Sequence, residues 1–403
     1  MTQTILVPAP TAEPRPLQTP VILTALIVIA VLGILIESVS SRMALLFATG
    51  TALGIVLYQS LFGFTGAFRV LLADGRSAGF RAQMIMLGAA CLLFFPALGA
   101  GSLLGQPVVG FVSPVGISVA TGSFLFGIGM QLGGGCASGT LFAVGGGNTK
   151  MILTLLFFIV GSVAGVVHLA WWESLPAFAP ISLIATLGWQ SALFMNIAVF
   201  ATAYGVVSRI ERRRHGTLAP VATVANGSWL RGPWPLLAGA LALALLNFVT
   251  LALAGRPWGI TSAFGLWGGM ALQQVGVPIE NWPGYSAPAM QKALAGGILA
   301  DVTSVMDIGI VIGAMLCAAL AGKFKPEWRI SGRHALASVL GGFLLGYGAR
   351  LAYGCNIGAF FSGIASGSVH GWAWIVFALL GNWAALYLRP FFDLPVPNRP
   401  THC

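Results

Sequence analysis

Ten times along the chain a run of about 18–22 apolar residues recurs, the length a helix needs to cross the hydrocarbon of a bilayer. The runs lie near 21–37, 43–60, 82–99, 114–132, 151–172, 185–208, 233–254, 303–322, 335–352 and 371–388. Such runs constrain the fold strongly, because backbone amides surrounded by lipid must pair within the segment or within a closed barrel. Barrel strands would show short stretches of alternating polarity, which the sequence lacks. The expected class is therefore an all-α integral membrane protein of about ten transmembrane helices. The composition agrees: 57% of residues are hydrophobic and 7% are charged, against about 25% charged in a soluble domain. Residues 1–20 are Pro-rich and polar, without the basic start and cleavage site of a signal peptide, and read as a disordered tail. Residues 391–403 read as a second tail.

The formal charge of +10 does not point to nucleic acid, because the basic residues gather at helix ends. With the N-terminus inside, 16 of the 20 Lys and Arg fall on the cytoplasmic side, and "RIERRRH" (209–215) and "KFKPEWRISGRH" (323–334) anchor them. Arg42, Arg256 and Lys292 fall outside, and Arg350 falls within the membrane. This is a strong positive-inside bias, and it places both termini in the cytoplasm. The basic stretch 209–228 reads as a cytoplasmic linker between a first half at 21–208 and a second at 229–390.

Sliding the chain on itself by 219 residues lays "FLFGIGMQLGGGCASGTLF" (124–142) over "FLLGYGARLAYGCNIGAFF" (343–361), with nine of nineteen positions identical. One identity is Cys136 with Cys355, in a chain of only five Cys. "GFTGAF" (63–68) is likewise echoed by "GITSAF" (259–264), and the two are expected to supply further re-entrant turns around the same centre as the Cys pair. The first Cys motif ends the fourth helix, and the second ends the ninth. An odd number of spans separates them, so helices one to five and six to ten form a 5+5 inverted repeat, the architecture of many transporters with a site near the midplane.

Each Gly in "GGGC" and "YGCNIG" weakens a helix by about 1 kcal/mol relative to Ala, so the backbone is expected to break there. Broken backbone at membrane depth survives only when it is buried in protein or lines a cavity. "TLFAVGG" and "AFFSGIASG" are then re-entrant half-helices, and each Cys sits near an N-terminus whose free N–H groups and partial positive charge favour an anion. Gly135, Gly139, Gly354 and Gly358 are expected to supply the backbone geometry. Two such ends facing one another would hold something anionic and sulfur-like.

These motifs resemble those of the YeeE/YedE family of sulfur transport proteins. "GYGARLAYGCNIGAFFSGIASGS" with "HGWAWIVFALLGNWAALYLRP", "GIGMQLGGGCASGTLF" and "GFTGAFR" carry the resemblance, which covers roughly 43–390. It implies uptake of thiosulfate across the bacterial inner membrane, inverted halves, and broken helices meeting at a constriction in which Cys136 and Cys355 are the central thiols. Family members are also linked to selenium metabolism, so a selenium compound or another inorganic sulfur species is the alternative cargo. Many members carry a further Cys before the Phe-Thr-Gly-Ala-Phe run, where this chain has Gly63.

A thiol of ordinary pKa, about 8.5, is mostly protonated at neutral pH and is a weak S–H donor. Cys136 and Cys355 are thus expected to hand the anion along by S–H···S bonds. The rival is a sulfurtransferase that forms a persulfide and passes it to a cytosolic sulfur-carrier protein; a thiolate would repel an incoming dianion, which favours the hydrogen-bonded relay. Asn356, Ser138 and Thr140 either bind sulfonate oxygens or cap the half-helices. Arg350, whose repeat partner is Gln131, either attracts the anion or satisfies broken backbone carbonyls. Asp307 is either a proton-coupling group or a structural residue near the outer helix end. Cys91 and Cys317 read as packing residues, and Cys403 as inert. No enzyme activity, cofactor or metal is expected: the five His fall near helix ends or in tails, and "GGGNTK" (145–150) is too short for a phosphate loop.

Overall fold

The computed structural model describes residues 16–224 and 228–397. Most of the expected N-terminal tail, with Arg15, lies outside the described residues, as do part of the linker and the end carrying Arg399, His402 and Cys403. The first half of the chain forms α1 (Thr19–Glu37), α2 (Ser41–Gln59), α3 (Phe64–Asp74), α4 (Ala78–Ala100), α5 (Ile117–Gly133), α6 (Ala137–Gly145) and α7 (Thr149–Glu173). Then come α8 (Leu183–Leu187), α9 (Trp189–His215), α10 (Leu236–Ala254), α11 (Thr261–Gln274), α12 (Pro288–Gly296), α13 (Val302–Leu320) and α14 (Gly332–Leu351). A π-helical turn (Asn356–Ser362), α15 (Gly363–Ala365) and α16 (Val369–Leu388) complete the chain. Among the described residues nine helices are long and apolar enough to cross a bilayer, or ten if α14 and the segment Asn356–Ala365, bent 41° from it, count as one span. The chain is a multi-pass membrane protein.

Each expected run coincides with a long helix to within a few residues. The sixth departs most: α9 runs on through the basic residues to His215, so the first part of the expected linker is helical. Arg212, Arg213, Arg214 and His215 fill its last turn, where cations offset the negative end of the helix dipole. Glu211 adds a tether. It is buried, pairs with Arg81 and Arg76, and accepts from the Ser77 N–H and hydroxyl. Arg81, one of the basic residues expected on the cytoplasmic side, is therefore buried at the start of α4.

Packing rests on small residues. α2 crosses α13 where Gly50 and Gly54 meet the main chain of Met306 and Ile310, and Gly309 and Gly313 meet that of α2. A Cβ at any of the four would strike backbone, so only glycine permits this approach. Gly161 and Gly346 bring α7 and α14 together, and Gly127 and Gly381 bring α5 and α16 together. The principal contacts are α2 with α13, α4 with α10, α7 with α14, α5 with α16, α5 with α14, α1 with α13, and α4 with α9. α1 turns most of its surface outward, whereas α13 and α2 are mostly enclosed.

Candidate functional site

Two breaks in the helices create the site, and their backbones match. α5 stops at Gly133, and Gly134 takes the left-handed conformation with φ +87°. Nineteen-residue motif against motif, the position equivalent to Gly134 is Tyr353, which follows α14 and is also left-handed at φ +54°. Next come Gly135 and Gly354, where a Cβ would stand 3.0 Å from the Thr140 nitrogen and 2.7 Å from the Ala359 nitrogen. Gly354 has φ +147°, a conformation essentially confined to glycine. Cys136 and Cys355 then follow with extended backbones, ψ −170° and −166°. Each carbonyl accepts the first helical bond, from Thr140 N–H and Ala359 N–H, both at 2.8 Å.

Each cysteine is thus the N-cap of a short helical segment, and its sulfur accepts a backbone N–H. Gly139 N–H donates to Cys136 Sγ at 3.4 Å, and Ile357 N–H donates to Cys355 Sγ at 3.4 Å. A sulfur engaged as acceptor keeps its own S–H free to donate elsewhere. Both residues are buried, at 1% and 0% exposure. α6 touches the π-helical turn, and the two thiols lie within electrostatic reach of one another. Neither faces lipid.

Aromatic rings cluster beside the two breaks. The main chain at Phe64, the first residue of α3, comes up to the Cys136 thiol. The Phe64 ring meets Phe360 edge-on at 6.3 Å, Phe360 stacks on Trp374 at 6.3 Å, and Trp374 meets Phe126 at 5.5 Å. Trp374 also donates its indole N–H to the Gly354 carbonyl at 3.1 Å, which holds the second break in place. The "GFTGAF" echo pointed to this region, but as a turn; the structure makes it the start of a helix. The rings themselves carried no sequence signal that set them apart from other core aromatics.

The remaining expected site residues divide. Ser138 is buried with its hydroxyl 3.4 Å from Cys136 Sγ. Thr140 is committed to the backbone, its hydroxyl donating to the Cys136 carbonyl at 2.8 Å. Asn356 is fully buried, and neither its amide oxygen nor its nitrogen has a hydrogen-bond partner among the described residues. A Cβ at Gly139 would meet only the Cys136 sulfur, and one at Gly358 would meet open space. Arg350 turns away toward α11 and donates to the Thr261 and Ser262 carbonyls at 3.1 and 3.0 Å. Its repeat partner Gln131 donates to the Thr65 carbonyl at 3.1 Å. Thr65 and Thr261 are themselves equivalent in the "GFTGAF" and "GITSAF" echo, so the two side chains do the same work at the starts of α3 and α11.

Two cavities flank this centre. One, of about 390 Å³, is lined by Phe62, Gly63, Gly66, Arg76, Gln83 and Ala219 among others. The other, of about 420 Å³, is lined by Val108, Gly110, Ser182, Gly188, Trp189 and Ser366 among others. The first adjoins Phe64 and the second adjoins the end of the segment that Cys355 begins.

Comparison with known proteins points the same way. The thiosulfate transporter TsuA of Spirochaeta thermophila is 28% identical over 84% of this chain and 96% of its own length. The TsuA of Escherichia coli is 24% identical over 85% of this chain and 94% of its own. The probable transporter YedE of Escherichia coli is 32% identical, but the match spans only 42% of either chain. The Sulphur transport family matches residues 59–384, which include both cysteine breaks; the chain belongs to that family.

Proposed function

We propose that this protein carries thiosulfate, or a closely related sulfur anion, inward across the bacterial inner membrane through a constriction lined by Cys136 and Cys355. The observation that carries this reading is the pair of buried thiols, each capping a short helix and each with its sulfur already accepting an N–H. The free N–H groups of the two helix starts offset anionic charge, and the S–H groups donate to the soft terminal sulfur. Weak donors suit conduction, since cargo must bind well enough to enter and loosely enough to leave. The names of the two full-length relatives support the choice of cargo.

The helices are read as two inverted halves with re-entrant segments. The packing supports this. If α2, α3, α4, α5, α6 and α7 correspond to α10, α11, α13, α14, the π-turn segment and α16, then α2 on α13 becomes α10 on α4, and α7 on α14 becomes α16 on α5. With α1 matched to α9, the contact of α1 with α13 becomes that of α9 with α4. On this reading α9 opens the second half, and the boundary falls before Trp189 rather than in the stretch 209–228. With the termini cytoplasmic, as the distribution of Lys and Arg favours, the cavity beside Gly63 and Arg76 opens inward and that beside Val108 and Ser182 opens outward.

The test is growth of a bacterial strain unable to reduce sulfate, given thiosulfate as its only sulfur source. The protein is expected to restore growth, and Cys136→Ala or Cys355→Ala to abolish it at normal membrane abundance. Growth of both variants at the wild-type rate would remove the thiol relay.

A further inference from the structure

Two carboxyls on α13 meet opposite fates. Asp301 caps the helix, accepting from the Ser304 N–H at 2.8 Å and the Ser304 hydroxyl at 2.7 Å, with Arg256 in electrostatic reach. Asp307 is fully buried, and neither of its oxygens has a hydrogen-bond partner among the described residues. It lies one helical turn before Val311, whose carbonyl abuts Gly145 of α6, and it is within electrostatic reach of Cys355. So it stands beside the proposed constriction.

Among the described residues no cation pairs with Asp307. Of the helices packed on α13, α2 has Arg42 and Tyr58 near its two ends, α1 has Glu37 at its end, and α6 and α11 contain no acidic or basic residue. The ionisable groups that bear on it are Asp301 and Cys355; Arg256 donates to the Thr303 hydroxyl, one turn before Asp307, at 3.1 Å and makes no bond to Asp307. A bare carboxylate in this setting has neither charge partner nor donor, and such a group gives up its charge rather than stay buried with it. A charged Asp307 would also repel a dianion held at Cys355.

Resting on the reading of this protein as an importer of thiosulfate, we propose that Asp307 is its proton-coupling site. The proton comes from the outer solution, rests on the Asp307 carboxyl while the anion occupies Cys355, and leaves to the cytoplasm as the anion does. No bond other than O–H is made or broken. A dianion moving toward an inside-negative potential works against the field with both charges, and one accompanying proton lowers the net charge moved from two to one. Proton and anion then favour each other's binding reciprocally.

The full chain, reconstituted in liposomes with a pH-sensitive dye inside, tests this with labelled thiosulfate. An acid-outside gradient is expected to raise wild-type uptake about tenfold, within the usual range of coupling between sites, and uptake is expected to acidify the lumen. Asp307→Asn is expected to keep thiosulfate exchange at equal pH but lose both effects, and Asp307→Glu to restore them. Gradient-driven accumulation by Asp307→Asn at the wild-type level, or wild-type uptake without acidification, overturns the coupling while leaving thiosulfate transport standing. No uptake by wild type under any gradient overturns both readings. Infrared spectroscopy needs neither transport nor a folded Asn variant: a protonated-carboxyl band is expected in the wild type and shifted in Asp307→Glu, and its absence at neutral pH overturns the proposal.

Discussion

The two cysteine breaks share a backbone and differ in what their side chains have left over. At the first, Ser138 lies against the thiol and Thr140 is bonded to the Cys136 carbonyl. At the second, the equivalent positions are Ile357 and Ala359, and the polar group moves to Asn356, opposite Ala137. Asn356 is buried, and its amide has no hydrogen-bond partner among the described residues. The first break spends its polar atoms on its own structure, and the second holds an amide in reserve. The segments differ accordingly: α6 is a regular α-helix, whereas Asn356–Ser362 is a wider π-turn, a form often found at functional sites. Ser362, bonded to Asn247 and to the Trp258 carbonyl, pins that turn. The motif is thus repeated in its backbone geometry but not in its spare polar group.

Removing the feature the breaks share should have the largest effect. Cys136→Ala and Cys355→Ala are each expected to lower thiosulfate uptake into vesicles by about 100-fold, the upper end of losing one hydrogen bond to a charged group. A large loss at one cysteine and none at the other would break the equivalence. Next is Gly354→Ala. It places a side chain at φ +147°, beside the Ala359 nitrogen, and should cost about 1–3 kcal/mol from the strained conformation alone, read as a lower melting temperature in detergent. Gly134→Ala, at φ +87°, should cost about 1–2 kcal/mol.

Asn356→Ala sharpens the difference. Because its amide is unpartnered, losing it should leave thermal stability equal or slightly higher, while weakening uptake about tenfold if the amide meets the anion. Ser138→Ala should change uptake less than Asn356→Ala in the same assay. Smallest is Arg350→Gln, which installs the residue found at the equivalent position. If Arg350 only holds the start of α11, uptake should change by less than about threefold and stability by about 1 kcal/mol. A loss as large as that of Cys355→Ala would make Arg350 part of the anion path.

Much of this was readable from residues alone. The apolar runs gave the long helices because the bilayer sets their length, and the repeated Gly and Cys located both breaks because loosened backbone needs them. What stayed hidden is what depends on tertiary neighbours. Asp307 looks like any acid near a helix start until its lack of partners is seen. Asn356 read equally well as a cap, and the structure leaves its atoms unused instead. Arg350 read equally well as an anion lure, yet it faces two carbonyls because α11 begins beside it. The helices α3 and α11 were too short and too rich in glycine to stand out as more than turns. The extension of α9 depends on Glu211, whose ion partners come from α4 and the residues before it, over a hundred positions earlier.

The slab of rings formed by Phe64, Phe360, Trp374 and Phe126 has a consequence for the cell's electrical insulation. A file of water molecules through the centre would short-circuit the membrane voltage, since hydrated ions would follow it. Rings packed on one another beside the two breaks would leave that file no footing and expel liquid from the proposed constriction. In the proposed constriction only a solute that trades its hydration for sulfur and amide contacts gets past, so the barrier that would keep sodium and chloride out is made from the same atoms that would grip the cargo.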